Sequence, residues 1–358
     1  MSIKKIIVLA SVLIVALFFL AACAGAPGGA GPVGPAGPAG PAGPAGAAGA
    51  DGVAPKATDL TCTECHNDTT LIVSKQAQFR ESSVHGTGES FVRGEEANCA
   101  GCHGSEGVKA RINAGLPPHD PSVVSVENVS PFNCRTCHNI HSTYTKADFS
   151  LTGDEKPVKM EYTAGTFDGG AGNLCANCHQ VRNPAPTVTG GNVEITSSRF
   201  GPHYGIPAQM LLGEGGLGVS GTPGAHYSTV ADTCVACHMG EEFNHTYAAK
   251  VTRCLACHAD LANFDNKGVQ TEIKAMVDEL HTKLVDKKLL DPATDLYGIY
   301  DSATQKWSNP SAKAPLKVTE AVANAMWNYK FVVYDKSMGV HNSAYTKALL
   351  QASIDALK

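Results

Sequence analysis

The segment Asn133–Tyr144, NCRTCHNIHSTY, sets two cysteines and two histidines between Cys134 and His141. Cys134, Cys137 and His138 spell C-x-x-C-H, the pattern of covalent c-type haem attachment. The spacing has a chemical reason. Two thiols three residues apart reach the two vinyl groups of one porphyrin edge as thioethers, and the imidazole that follows lies under the ring as an axial iron ligand. Zinc knuckles and thioredoxin-like redox loops also use C-x-x-C, so one copy alone is ambiguous.

The pattern recurs at Cys62, Cys65 and His66; at Cys99, Cys102 and His103; at Cys175, Cys178 and His179; at Cys234, Cys237 and His238; and at Cys254, Cys257 and His258. Thirteen cysteines are present, and the six pairs leave only Cys23. A zinc site gives no reason for a histidine after every second cysteine, and a disulfide framework does not repeat one spacing so often. The expectation is six c-type haems.

Fourteen histidines less the six in the motifs leave eight, and six irons with two imidazoles each need six. His141 cannot cap the iron held by His138, because the two axial nitrogens lie on opposite faces of a ring too wide for a three-residue link to go round. It reads as a ligand to a different haem. His85, His203, His226 and His245 stand near motifs among Gly, Ser, Asn and Tyr, and His341 opens the last helix; all five read as distal ligands. His281 beside Leu280 reads as an ordinary helix imidazole, and His119 in LPPHDP as a loop residue.

The chain opens with Lys4 and Lys5 and an apolar run from Ile6 to Ala22. That is the plan of a secretory leader, and LAAC at its end resembles a bacterial lipobox with Cys23 as the lipidated residue. Export suits the cofactor, since c-type haem is attached outside the cytoplasm in bacteria. Residues 1–22 are thus expected as a lipoprotein signal peptide. Residues 23–55 carry glycine at every third position from Gly25 to Gly52, the collagen spacing. This reads as a semi-rigid stalk of about 90 Å at ~3.1 Å per residue, with homo-oligomerisation through a triple helix as the alternative.

Residues 56–265 read as the haem core, where Gly and Pro punctuation and short polar turns replace long periodic runs. Each attachment motif is expected to open a helical turn. Residues 266–358 change character. Ile273, Met276, Val277, Leu280, Leu284, Val285 and Leu289 recur at mostly three and four, the mark of an amphipathic helix. Further helices are expected over 318–332 and 342–357, the latter with Tyr345, Leu349, Ile354 and Leu357 on one stripe. No strand pattern of comparable length is visible. The fold class is therefore all-α with extensive irregular loops, organised around stacked haems, plus a C-terminal helical region.

Side chains give a net charge of −5, and each haem brings two propionates, which argues against nucleic acid as a partner.

The stretches GNLCANCHQ, FGPHYGIPAQMLLGEGG, AHYSTVADTCVACHM, NHTYAAKVTRCLACH and NYKFVVYDKSMGVHNSAYTKALL together resemble the multihaem c-type cytochromes of respiratory bacteria related to the pentahaem, ammonia-forming nitrite reductases. The likeness is stronger to their non-catalytic outer-membrane relatives. It implies distal-ligand roles for the histidines of GPH and GVHN, here His203 and His341, and alternating parallel and perpendicular haem pairs. One departure matters: those reductases carry an active-site haem on C-x-x-C-K, and all six motifs here end in His. The expectation is an electron carrier at the outer membrane or cell surface, held by its lipid and exchanging electrons with other multihaem cytochromes, an outer-membrane conduit or an extracellular acceptor. The alternative is a reductase or oxidase of nitrogen or sulfur oxyanions, which requires one haem with an open axial position.

Overall fold

The computed structural model describes residues 71–82, 84–120, 122–123, 128–153 and 156–358. Cys23, the glycine repeat, and the motif of Cys62, Cys65 and His66 lie outside the described residues. The helices are α1 (Leu71–Glu81), α2 (Ala97–Ala100), α3 (Ser105–Ala114), α4 (Cys134–Cys137), α5 (Asn173–Ala176), α6 (Pro207–Leu212), α7 (Ala225–Thr229), α8 (Thr233–His238), α9 (Val269–Asp286), α10 (Glu320–Asp335) and α11 (Ser343–Ala356). Among the described residues, no helix is long and apolar enough to cross a membrane.

Up to residue 265 the helices are short, and five of the helical turns carry attachment motifs. In four of those turns the histidine N–H donates to the carbonyl of the first cysteine: His103 to Cys99 and His138 to Cys134 at 2.9 Å, His179 to Cys175 at 2.9 Å, and His258 to Cys254 at 2.8 Å. One helical turn brings residues i and i+3 or i+4 to one face. Both sulfurs and the imidazole therefore front the same space.

The C-terminal part holds the main apolar core. Ile273, Leu280 and Leu284 of α9, Phe331 and Met326 of α10, and Leu349 and Ile354 of α11 are all buried. Each such side chain contributes about 1.5–3 kcal/mol by leaving water. Helix α10 begins where Thr319 accepts from the Val322 N–H, and α11 where the Asn342 side chain accepts from Tyr345 N; both are conventional N-caps. The segment before residue 265 enters this core as well. Trp327 Nε1 donates to the Gly215 carbonyl at 2.9 Å, and Asn328 donates to and accepts from the backbone of Leu217 at 2.9 and 2.7 Å. These bonds bind the loop after α6 to α10.

The all-α expectation needs correction. Four two-stranded antiparallel sheets occur among the described residues: β1 (Val158–Lys159) with β2 (Thr166–Phe167), β3 (Asn192–Ile195) with β8 (Leu316–Thr319), β4 (Leu290–Asp291) with β5 (Leu296–Tyr297), and β6 (Ile299–Asp301) with β7 (Lys306–Ser308). Strands of two to four residues are too short to show a period of two. Val318, expected in a helix, pairs instead with Val193. The two tandem hairpins share one turn chemistry. Asp291 accepts from Ala293 N and Thr294 Oγ1, and Asp301 from Ala303 N and Thr304 Oγ1. Each is an Asx turn spelled D-x-A-T.

Candidate cofactor site

Five motif histidines each face one histidine from a distant part of the chain. His103 faces His203 with ring centres 6.5 Å apart, and His138 faces His245 at 6.1 Å. His179 faces His85 at 5.9 Å, His238 faces His341 at 6.4 Å, and His258 faces His226 at 6.2 Å. A metal–imidazole nitrogen bond runs about 2.0–2.1 Å, so two imidazoles that share one ion from opposite sides have ring centres about 6 Å apart. All five pairs meet that distance. Among the described residues no group of three or more His, Cys, Asp or Glu converges on one point. What recurs is two imidazoles beside two thiols, which suits a metal whose remaining four ligands come from a macrocycle.

The second ring nitrogen agrees. Nδ1 meets a backbone carbonyl in His103 (Ser90, 2.9 Å), His138 (Phe149, 2.8 Å), His226 (Val340, 2.6 Å), His238 (Tyr247, 2.9 Å) and His245 (Phe243, 2.7 Å). A carbonyl on Nδ1 makes that nitrogen the protonated one and leaves Nε2 as the lone-pair donor, which is how metal-ligating histidines are held. In His341 the acceptor is a carboxylate, Asp335 Oδ1 at 2.7 Å. Burial works against charge there, but the Asp335 carboxylate outweighs it and moves the His341 pKa upward. In five others burial dominates. It pushes His179 and His203 down to about 4, neighbouring cationic groups adding to the effect, and lowers His85, His103 and His245. Neutral imidazole is the ligating form.

Local backbone shape supports these placements. His203 has φ of +77° and His141 of +61°, a region that costs a non-glycine residue of order 1–3 kcal/mol and persists where the surroundings enforce it. Gly205 (φ +68°) is the close-approach position. A Cβ there would stand 3.0 Å from His179 Nδ1.

Neighbouring motifs are close enough for their thiols to shift one another: Cys178 raises Cys102 and is itself lowered, and Cys234 does the same to Cys175. The motif at Cys175 thus stands between those at Cys99 and Cys234. Tyr247 joins three pairs: its ring lies 5.0 Å from His85 and 6.2 Å from His245, and its carbonyl holds His238. Sequence reasoning gave Tyr247 no role, although NHTY sets it two residues past His245.

The remaining three described histidines stand outside these five pairs. His119 uses both nitrogens, Nδ1 to Glu161 Oε2 at 2.6 Å and Nε2 from Arg182 Nε at 3.3 Å. His281 lies 3.9 Å from Asp295 and against Tyr329. His141 is exposed and stacks on Tyr144 at 5.6 Å. It does not face His138; His245 does.

Exposed apolar side chains fit the same cofactor. Among the described residues, the large exposed hydrophobics, such as Val73, Val84, Phe149, Tyr204, Phe243 and Phe264, fall between residues 73 and 264 and none in the C-terminal helices. Flat apolar groups packed on that segment would cover such side chains. The ten described cysteines are all free of disulfides.

No family model and no curated protein matches the chain. Among solved structures it is similar to the crystal structure of the outer cell wall cytochrome OcwA, with a TM-score of 0.49 and 20% identity over 78% of this chain and 50% of that one. The chain spans half the length of that structure.

Proposed function

We propose that the protein is a hexahaem c-type cytochrome that relays electrons outside the cytoplasm, with each iron held between two imidazoles. The observation that carries this is the set of five facing histidine pairs, each formed by one C-x-x-C-H histidine and one remote histidine at about 6 Å. Porphyrin iron between two imidazoles supplies one-electron exchange with both axial positions closed to substrate. The chain's part is to hold those imidazoles neutral and fixed through Nδ1, and to bring neighbouring attachment turns into contact.

For the haem of Cys62, Cys65 and His66 the proposed distal ligand is His141, which the three-residue spacing keeps off the iron of His138. Lipidation at Cys23, the stalk and an outer-membrane position at the cell surface belong to the same proposal, supported by the leader and lipobox pattern. Other multihaem cytochromes, a membrane conduit or an external acceptor are its proposed partners.

Cyanide, nitric oxide or hydroxylamine added to the purified protein tests the closed irons. The expected result is six haems per chain with an unchanged low-spin spectrum. Conversion of a resting high-spin centre would instead favour the oxyanion reductase.

A further inference from the structure

Arg182 lies three residues past His179, and its side chain is a buried cation with unused donors. The residue is 8% exposed. Its backbone N–H donates to the Pro202 carbonyl at 3.0 Å, which ties it to the loop that carries His203. Its Nε donates to His119 Nε2 at 3.3 Å, and His119 is fixed in turn by Glu161 at 2.6 Å. The terminal nitrogens Nη1 and Nη2 have no hydrogen-bond acceptor among the described residues and are not among the fully buried polar atoms, so the fork opens at the edge of the buried site. A guanidinium fork so placed ordinarily meets a carboxylate or phosphate. Its charge falls mostly on one group of residues, Cys99, Cys102, His103 and His203, and reaches Cys178 and Tyr162 as well.

Resting on the haem reading above, we infer that the Nη edge of Arg182 binds a carboxylate, and that this carboxylate is a propionate of the haem held by Cys99, Cys102, His103 and His203. The His119–Glu161 pair acts as the strut that aims the guanidinium. Arg182 is then a positioning and charge-compensating residue. By offsetting a negative charge next to that iron it favours the reduced state.

The test is spectroelectrochemical titration of the full haem-loaded protein carrying Arg182→Gln, with haem count and low-spin spectrum as controls. One of the six midpoint potentials is expected to move negative, by an amount on the order of a tenfold change in the oxidised-to-reduced ratio, about 59 mV for one electron. The moving wave is the one that His203→Ala converts to a high-spin centre. Six unmoved waves overturn the inference, and so does movement of a different wave. Where the Gln variant fails to load six haems, Arg182→Lys carries the test, because its single-point ammonium loses the fork and moves the same wave the same way by a smaller step; no movement overturns it. Acetate titrated into the wild-type protein at constant ionic strength distinguishes a propionate from a carboxylate taken from solution. Unmoved potentials support the propionate, and a shift that disappears in Arg182→Gln overturns it. A wild-type protein without haem would instead sink the cytochrome reading itself.

Discussion

His341 Nδ1 lies 2.7 Å from Asp335 Oδ1, and the opposite face of the His341 ring looks toward His238 at 6.4 Å between ring centres. Asp335 is itself buried and also holds the Ser337 hydroxyl. A carboxylate on the outer nitrogen makes an imidazole a stronger donor than a carbonyl does. This pair therefore differs electronically from the other four.

Asp335→Asn is expected to raise the midpoint potential of one haem by roughly 50 mV, close to the ~59 mV that a tenfold change means for one electron. The iron stays six-coordinate. Redox titration followed in the visible band measures it, and an unmoved set of six potentials would contradict the role given to the carboxylate.

The pairing assigns a distinct lesion to each distal histidine. His245→Ala should open the haem of Cys134 and Cys137, giving a high-spin signal for one haem that added imidazole restores. His141→Ala should leave that haem closed and open the one at Cys62 and Cys65. Electron paramagnetic resonance on each variant, combined with loss of the relevant cysteine pair, tells the two apart.

Tyr247→Ala is expected to disturb three haem sites at once, since the ring packs on His85 and His245 and the residue's carbonyl holds His238. Tyr247→Phe should be silent. Potentials of all six haems in both variants are the measurement; a single shifted wave in the alanine variant would refute a shared role.

In the C-terminal region Lys330 is 1% exposed, with its ammonium on Asp295 Oδ2 at 2.7 Å and near the rings of Tyr297, Tyr329 and Tyr334. Asp295→Ala leaves that charge buried and is expected to cost about 3 kcal/mol. Lys330→Met should cost less. Hydrogen-exchange protection of α9 to α11 reads both, and an equal loss would argue against a stranded charge.

A chain made without haem should keep protection over Val269–Leu357 and lose it before residue 265. The C-terminal helices bury one another's apolar faces, whereas the attachment segment exposes Val73, Phe149 and Phe243. Uniform loss on hydrogen exchange would mean that the haems support both parts.

Much of this was legible in the sequence, for identifiable reasons. Attachment chemistry is local, so five consecutive positions display it. Helices α9 to α11 are long enough for a period to emerge, and the start points of α10 and α11 fall within two residues of expectation. The facing histidines were legible only as a set, because facing depends on how the chain returns on itself: nothing near His85 names His179. The strands β1 to β8 are too short to carry a pattern. Arg182 and Tyr247 were invisible for another reason: their significance lies in what surrounds them, and each reads alone as an ordinary surface residue.

The facing pairs also order events in biogenesis. Two thioethers and the adjoining imidazole need only a short ribbon of chain, which an unfolded polypeptide already offers. The opposing imidazole comes from roughly a hundred residues away for His203, His245 and His341, so it can arrive only as the protein folds. On the proposed cytochrome reading, each of these three cofactors would begin as a pendant on a loose thread and end as a clasp across a long loop. Such closure lowers the freedom of the unlatched chain by more as loop length grows. Slipping one clasp with a strong competing ligand would therefore slacken an entire lobe rather than a single turn.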